Sequence, residues 1–313
     1  MSKGLYIGVS NVARKAKKAY VGVNNVARKV KKIYIGVNGV ARLAWQGTVP
    51  AGQIVFTSSQ VWTVPDGVRI VDVFCVGGGG RGYQAGGGAG GRTATYANVS
   101  VTPGQQIGIT IGAGATTSGW INLEPMSINT VVAGTTYFGG LSAGGGESAL
   151  YCVLTSGWNG GTGNYENYAA GIGGNGGSGG GGAGWESNNG AKGGNGGSNG
   201  SNGFSSGFWM GFGYMITVPG RSPHYGYGQG TTTRAFGETG GTLYSGGGAG
   251  AGYGTNTLIR AQGGAGGGAG WVNTSAVAAT PNSGGGGFGS PEMLYDYARN
   301  GASGTVIVRW AEQ

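Results

Sequence analysis

Glycines spaced three residues apart, within residues 171–203, constrain the fold more than any other feature of the sequence. Gly194, Gly197, Gly200 and Gly203 follow one another at every third position. A period of three fits neither the 3.6-residue turn of an α-helix nor the alternation of a β-strand. It fits an extended left-handed helix with three residues per turn, which has no internal hydrogen bonds but can pair with neighbouring copies. The run therefore predicts a bundle of packed polyglycine II helices.

A flexible linker is the alternative interpretation of such a run. Glycine accounts for 79 of 313 residues, several times its usual share of about 7%. Further runs at 246–254, 263–270 and 284–289 are separated by aromatic residues and by aliphatic, strand-like segments. A disordered chain carries few such side chains, so the composition favours the bundle.

The positive charge of the chain is concentrated in residues 1–46. This segment holds ten of the 19 Lys and Arg residues, and the first acidic residue is Asp66. Because the formal net charge of the whole chain is +9, the remaining residues are close to neutral. The sequence therefore predicts two domains, a basic docking module at 1–46 and a glycine-rich domain at 47–313.

The basic module consists of three 14-residue copies, in which five-residue strand candidates alternate with two-residue turns. Asn24-Asn25 and Asn38-Gly39 favour the left-handed backbone of type I′ hairpin turns. The Lys-Lys pairs at 17–18 and 31–32 are assigned as turns from the repeat alone. The pattern predicts one antiparallel β-meander with six strands near 5–9, 12–16, 19–23, 26–30, 33–37 and 40–44.

One face of this meander combines aliphatic side chains with a row of arginines, because side chains alternate along a strand. The docking interface predicted on this face contains Ile7, Val21, Ile35, Arg14, Arg28 and Arg42. Burying guanidinium groups without partners is costly, so we expect an acidic protein or a copy of this chain to cover the face. Nucleic acid is the rival partner, but the aromatic residues follow the strand ladder and no nucleic-acid-binding motif occurs. We therefore expect no nucleic acid.

Strand patterns also open and close the second domain. Residues 53–76, 94–113 and 304–310 carry strand signals, with turns at Pro65-Asp66-Gly67 and at Pro103-Gly104. These segments predict a β-sandwich-like base from which the glycine helices emerge. The predicted fold class is therefore all-β with a polyglycine II helix bundle.

Several short motifs in residues 53–313 carry a resemblance to a known family. They are Phe56-Thr57, Trp62-Thr63-Val64-Pro65, Val71-Asp72-Val73, Val76-Gly77-Gly78-Gly79-Gly80, Val101-Thr102-Pro103-Gly104-Gln105, Thr110-Ile111-Gly112-Ala113-Gly114 and Gly304-Thr305-Val306-Ile307-Val308-Arg309-Trp310. With these motifs the chain resembles the glycine-rich domain of phage tail-fibre and receptor-binding proteins, and its basic repeats are similar to those of phage tail proteins. The resemblance implies a virion tail component whose loops hold a host receptor on a polyglycine scaffold.

Segments between the glycine runs are the predicted receptor-binding loops. Aromatic side chains on glycine-punctuated loops offer rigid contact surface, and they suit either a glycan or an outer-surface protein. The candidate receptor-binding residues are Phe208, Trp209, Tyr214, His224, Tyr225, Tyr227, Tyr165 and Tyr168. The alternative is that such aromatic residues wedge into the glycine bundle, where they would supply the side chains that glycine lacks.

Catalytic chemistry is nearly absent from the sequence. One histidine and two cysteines, Cys75 and Cys152 in apolar strand-like runs, predict no metal site, and we expect no cofactor. Gly77, Gly79 and Gly82 match a dinucleotide fingerprint, but no helix or acidic ribose partner follows. The carboxylates are scattered among loops, without the pairing that a glycosidase needs.

Targeting signals are also missing from the sequence. The start of the chain has no apolar signal-peptide core, and no apolar stretch of about 20 residues predicts membrane insertion. The sequence therefore predicts a non-enzymatic phage tail adhesin that docks to a tail, fibre or baseplate protein and contacts a host receptor. A structural spacer of the tail and a capsule- or wall-degrading enzyme are the alternatives, and a trimer of this chain is left open.

Overall fold

The computed structural model describes residues 5–9, 12–16, 18–83, 86–117, 119–123, 126–153, 169–182, 184–185, 194–204, 225–253, 261–272, 275–289 and 296–313. The predicted all-β class is confirmed, with several antiparallel sheets. The strands are β1 Tyr6–Val9, β2 Val12–Lys15, β3 Ala19–Val23, β4 Val26–Val30, β5 Lys32–Val37, β6 Val40–Gln46, β7 Gly52–Phe56, β8 Gln60–Thr63, β9 Ile70–Val76, β10 Thr93–Ser100, β11 Gln106–Thr110, β12 Gly119–Leu123, β13 Met126–Asn129, β14 Thr136–Phe138, β15 Leu141–Ala143, β16 Leu150–Val153, β17 Ala169–Ile172, β18 Gly184–Trp185, β19 Gly252–Tyr253, β20 Gly270–Val272, β21 Ser275–Val277 and β22 Thr305–Trp310.

Helical structure in the described ranges is limited to short turns. A 3₁₀ turn spans Ala235–Gly237, and the one-turn helix α1 spans Asp296–Arg299. Within the same ranges, no helix has the length and apolar character needed to cross a membrane.

The basic segment folds into three separate hairpins. β1 pairs with β2, β3 with β4 and β5 with β6, and each pair is its own two-stranded sheet. The six predicted strands are confirmed, whereas the predicted continuous six-stranded meander is wrong. Asn24, Asn25, Asn38 and Gly39 have φ angles between 52° and 75°, as type I′ turns require. Lysine does not favour that conformation, and Lys32 instead begins β5.

Two four-stranded sheets form the base of the second domain. Their strand orders are β10-β9-β22-β7 and β15-β14-β11-β8, and they share a core that includes Trp62, Val73 and Ile109. Both predicted turns are confirmed, since Gly67 and Gly104 have φ angles of 87° and 80°. The C-terminal strand β22 lies between β7 and β9. The last strand of the chain therefore pairs with two strands from the start of the second domain.

Cys75 is a free, fully buried thiol in β9, as the sequence predicts, whereas the side chain of Cys152 lies outside the described residues. Burial raises the pKa of Cys75 from its ordinary value of 9.0 to about 12. Because the thiolate is the reactive form, we expect iodoacetamide at pH 8 to label native Cys75 at least about a hundredfold more slowly than the unfolded chain. Mass spectrometry of the Cys75 peptide measures both rates.

The same shift predicts how Cys75 links stability to pH. The folded pKa lies above the unfolded pKa, so this contribution to stability is intact below about pH 9 and is lost as the pH rises toward 12. Equal labelling of the Cys75 peptide in native buffer and in guanidinium chloride would contradict the predicted burial. The unfolded sample controls for reagent quality and for peptide recovery.

The glycine runs exchange backbone hydrogen bonds with one another. Within the run 86–92, the N–H groups of residues 87–92 donate in turn to residues 178–181, 284–287 and 144–147, at N···O distances of 2.7–3.0 Å. N–H groups three residues apart donate to the same neighbouring run. For example, Gly87 and Gly90 both donate to carbonyl groups of residues 178–181. We call these segments the glycine lattice, which comprises residues 77–82, 86–92, 112–115, 133–134, 144–147, 173–182, 194–204, 226–230, 246–250, 261–270, 284–289 and 299–304.

Glycine is required in the lattice because neighbouring backbones approach too closely for a side chain. At most lattice glycines, an added Cβ would overlap a carbonyl oxygen of an adjacent run. Gly180, for example, would meet the carbonyl of Gly87, and Gly286 would meet that of Gly88. The composition of the runs thus follows from their packing distance.

Candidate functional site

Each basic hairpin repeats one cross-strand pair of an aliphatic residue and an arginine. Directly opposed residues project from the same side of a sheet. The pairs are Ile7 with Arg14, Val21 with Arg28, and Ile35 with Arg42. Ile7, Val21 and Ile35 are exposed by 55%, 50% and 52%, and the three arginines are exposed as well. The predicted docking residues therefore share one face of each hairpin, and their role in docking stays a prediction.

Exposed valines extend this surface. Val12, Val26 and Val40 lie two residues before the arginines, hence on the same side of their strands, and each is more than half exposed. We call this surface the arginine face, which comprises Ile7, Val12, Arg14, Val21, Val26, Arg28, Ile35, Val40 and Arg42. Among the described residues, none of its three guanidinium groups has a hydrogen-bond or ion-pair partner.

Trp45 connects the hairpins at their bases. Its indole Nε1 donates a hydrogen bond to the carbonyl of Ala16, just after β2, at 3.2 Å, and its side chain is buried. The backbone N–H of Gly47 donates to the carbonyl of Lys31, between the second and third hairpins, at 3.0 Å. The sequence does not predict this role, although Trp45 stands where the other copies have lysine.

One ion pair joins the third hairpin to the turn before β9. The Nζ atom of Lys32 lies 3.0 Å from a carboxylate oxygen of Asp66. The hydrogen bond to Asp66 raises the pKa of Lys32 above its ordinary value of 10.5. Both groups are solvent-accessible, so the pair adds little to stability.

Two of the predicted receptor-binding residues, Tyr225 and Tyr227, lie within the described residues. Their rings meet edge to face, with centroids 5.9 Å apart, and both are partly buried. The N–H of Tyr227 donates to Oδ1 of Asn175 at 2.8 Å. This hydrogen bond joins two runs of the lattice, 226–230 and 173–182. The other candidates lie outside the described residues; they are Phe208, Trp209, Tyr214, His224, Tyr165 and Tyr168.

The residues that flank the segment 205–224, which contains four of those candidates, are held next to each other. Gly203 donates a backbone hydrogen bond to the carbonyl of Gly226 at 2.9 Å. Phe204, which directly precedes the segment, is 57% exposed. The lattice thus fixes where this aromatic-rich segment leaves and returns.

Other aromatic residues support the alternative role as wedges in the glycine bundle. Trp271 is buried against a cluster of alanines that includes Ala249 and Ala269. Phe288 is completely buried in the same cluster. An aromatic residue next to a glycine run is therefore not by itself a sign of binding.

Clusters of metal-ligating side chains do not occur in the described part of the chain, where no three His, Cys, Asp or Glu residues come together.

The chain was compared with known protein families and with curated proteins. The profile of a family described as a glycine-rich domain matches residues 55–311. A search of curated proteins finds no match to the chain.

Proposed function

We propose that this chain, which belongs to the glycine-rich domain family, is a non-enzymatic adhesin of a phage tail. In this proposal residues 1–46 dock to a tail, fibre or baseplate protein, and loops of the glycine-rich domain bind a host surface receptor. The proposal rests on one observation: the lattice holds Gly203 and Gly226, on either side of the aromatic-rich segment 205–224, in direct contact.

The lattice supports the proposed scaffold of polyglycine II helices. A backbone with three residues per turn presents every third N–H to the same neighbour, and the hydrogen bonds donated by residues 87–92 follow this rule. Such a scaffold holds its loops through hydrogen bonds made within the glycine runs. The loops can therefore change in sequence without disturbing the contacts that hold them.

The segment 205–224 is suited to binding by its composition as well as by its anchoring. It contains Phe208, Trp209, Tyr214 and His224, and Tyr225 and Tyr227 follow at its end. Aromatic side chains lose little conformational entropy on binding and provide large contact areas. We propose a host glycan or an outer-surface protein as the receptor.

The hairpins supply the second half of the proposal. An exposed apolar surface rimmed by unpaired positive charge is typical of a protein-binding site, and acidic groups on the partner would pair with the arginines. Docking through this surface would place the chain in the virion tail.

Cell binding tests the adhesin role. Replacing residues 205–224 by a Gly-Ser segment of equal length is expected to lower binding of the full chain to susceptible cells at least about thirtyfold, because aromatic hot spots contribute about 2 kcal/mol or more each. Labelled protein and flow cytometry measure the affinity. Tyr137→Ala, at an exposed tyrosine of the β base, is the matched control and should bind normally.

The outcomes separate the candidate functions. Unchanged binding by the replaced variant, with its melting temperature preserved, would contradict binding through this segment. A chain that enters particles but never binds cells would instead be a spacer, a role for which the lattice alone suffices. Release of reducing sugars from the host surface would indicate an enzyme.

A further inference from the structure

We infer that the basic module docks onto an acidic homotrimer, with one hairpin of a single chain engaging each subunit. This inference rests on the proposed docking function and specifies its partner. It starts from the fact that one polypeptide presents the same binding element three times.

The three hairpins agree in the features that a partner would contact. Each carries an aliphatic–arginine pair in the same register, with a valine two residues before the arginine. The position after the arginine is less constant, since Lys15 and Lys29 correspond to Leu43 in the third copy. In the second copy, Lys29 lies on the side of β4 opposite to Arg28 and is paired with Tyr20. Repetition of the arginine face in all three copies indicates three equivalent environments.

A closed homotrimer provides three equivalent environments, because rotational symmetry presents the same patch three times. Contacts at Trp45 hold the bases of the hairpins together. Once one hairpin is bound, the others are therefore at high effective concentration near their own sites. Linked contacts of this kind bind far more tightly than each does alone.

Charge decides between an acidic protein and the other occupants. Residues 1–46 contain no Asp or Glu, so a second copy of the module would oppose positive charge with positive charge. A nucleic acid would neutralise the arginines but leave the neighbouring isoleucines and valines uncovered. A protein surface that carries carboxylates among apolar side chains covers both.

Copy number in purified particles tests the inference. Quantitative mass spectrometry with isotope-labelled peptides gives the ratio of this chain to each tail protein. Carbodiimide cross-linking, which joins lysines to carboxylates, is applied to particles carrying Arg14→Lys or Arg28→Lys, each of which keeps the charge of the arginine face and adds a reactive amine there. We expect one tail protein at three copies per chain, cross-linked through the same acidic peptide in both variants.

Two results would overturn the inference while leaving the docking function intact. They are equal copy numbers of this chain and its partner, and cross-links from the Arg14→Lys and Arg28→Lys variants to different proteins. Absence of the chain from purified particles would overturn the proposed function itself, so the two failures are distinguishable.

Charge reversal at each hairpin provides an independent test. Arg14→Glu, Arg28→Glu and Arg42→Glu are each expected to lower incorporation into particles at least about thirtyfold, and by similar factors, since an unpaired or like charge at an interface is strongly unfavourable. Lys29→Glu makes the same charge change next to Arg28 but on the opposite side of β4, and should incorporate normally. All four side chains are exposed, so the melting temperatures of the variants should be unchanged.

The pattern among these variants distinguishes the occupants. A large loss in only one of the three arginine variants would indicate a single contact and overturn the trimer. An equal loss in Lys29→Glu would indicate a diffuse charge effect, as expected for nucleic acid, and would overturn it too.

Discussion

Gly248→Ala is expected to disrupt the glycine lattice and to lower the melting temperature by on the order of 10 °C. Gly248 donates a hydrogen bond to the carbonyl of Gly88 and accepts one from the N–H of Gly181, at 2.8 and 2.9 Å. A Cβ at this position would overlap the carbonyl group of Gly287. One residue thus lies at the junction of three neighbouring runs.

The expected cost has two parts. Inserting a methyl group into a close-packed site costs about 1–3 kcal/mol, and the atom it strikes here is backbone, which cannot rotate away. Separating the runs also weakens the two hydrogen bonds of Gly248, each of which contributes about 1 kcal/mol net. The sum, roughly 3–5 kcal/mol, is a large fraction of the stability of a typical domain.

Gly108→Ala is the matched control for this prediction. Gly108 lies in β11, its added Cβ would meet nothing within 4 Å, and its φ angle is not in the left-handed region. The substitution should therefore leave the melting temperature within about 2 °C of the parent. Calorimetry of both variants measures the difference, and equal melting temperatures would show that the runs are not closely packed.

The strands and turns of this protein could be predicted from the sequence because side-chain patterns mark them. Alternation and the Asn24-Asn25 and Asn38-Gly39 turns located the hairpins, and the repeat aligned Ile7 with Arg14. Strand-like side-chain patterns likewise predicted the base strands β7, β9 and β22. The error lay at the Lys-Lys pairs, where the repeat suggested turns that lysine does not favour.

The pairing within the lattice could not be predicted, because glycine has no side chain to mark a register. Nothing in the sequence indicates that run 86–92 bonds to residues 284–287, almost two hundred positions away. For aromatic residues the sequence favours a wedge at Trp271, which adjoins a glycine run, and this is confirmed by its burial; for Tyr225 it leaves a wedge and a binding residue open. Their surroundings, and not their own sequence context, determine whether they are buried.

Trp45 and the ends of segment 205–224 show the same limit for the candidate site. The arginine face could be located from alternation, but the contact from Trp45 to Ala16 depends on how the hairpins meet. The hydrogen bond from Gly203 to Gly226 depends on lattice packing. Neither contact could be predicted from the sequence, because each joins segments that are distant along the chain. Both contacts hold the proposed binding surfaces in position.

Val308→Asp is expected to unfold most of the protein at neutral pH. Val308 is completely buried in the core that the two base sheets share. It lies in β22, opposite Ile54 of β7 and Val73 of β9, so its loss affects both neighbouring ladders. A buried carboxylate without a partner costs about 3–5 kcal/mol, in addition to the apolar contacts that valine gives up.

Val55→Asp introduces the same carboxylate into the adjacent strand of the same sheet. Val55 is paired with Ile307 but is 50% exposed, so its carboxylate stays hydrated and the change should cost less than about 1 kcal/mol. Urea unfolding followed by circular dichroism measures the midpoint for each variant. Equal midpoints for the two variants would contradict the burial of Val308 in the core between the base sheets.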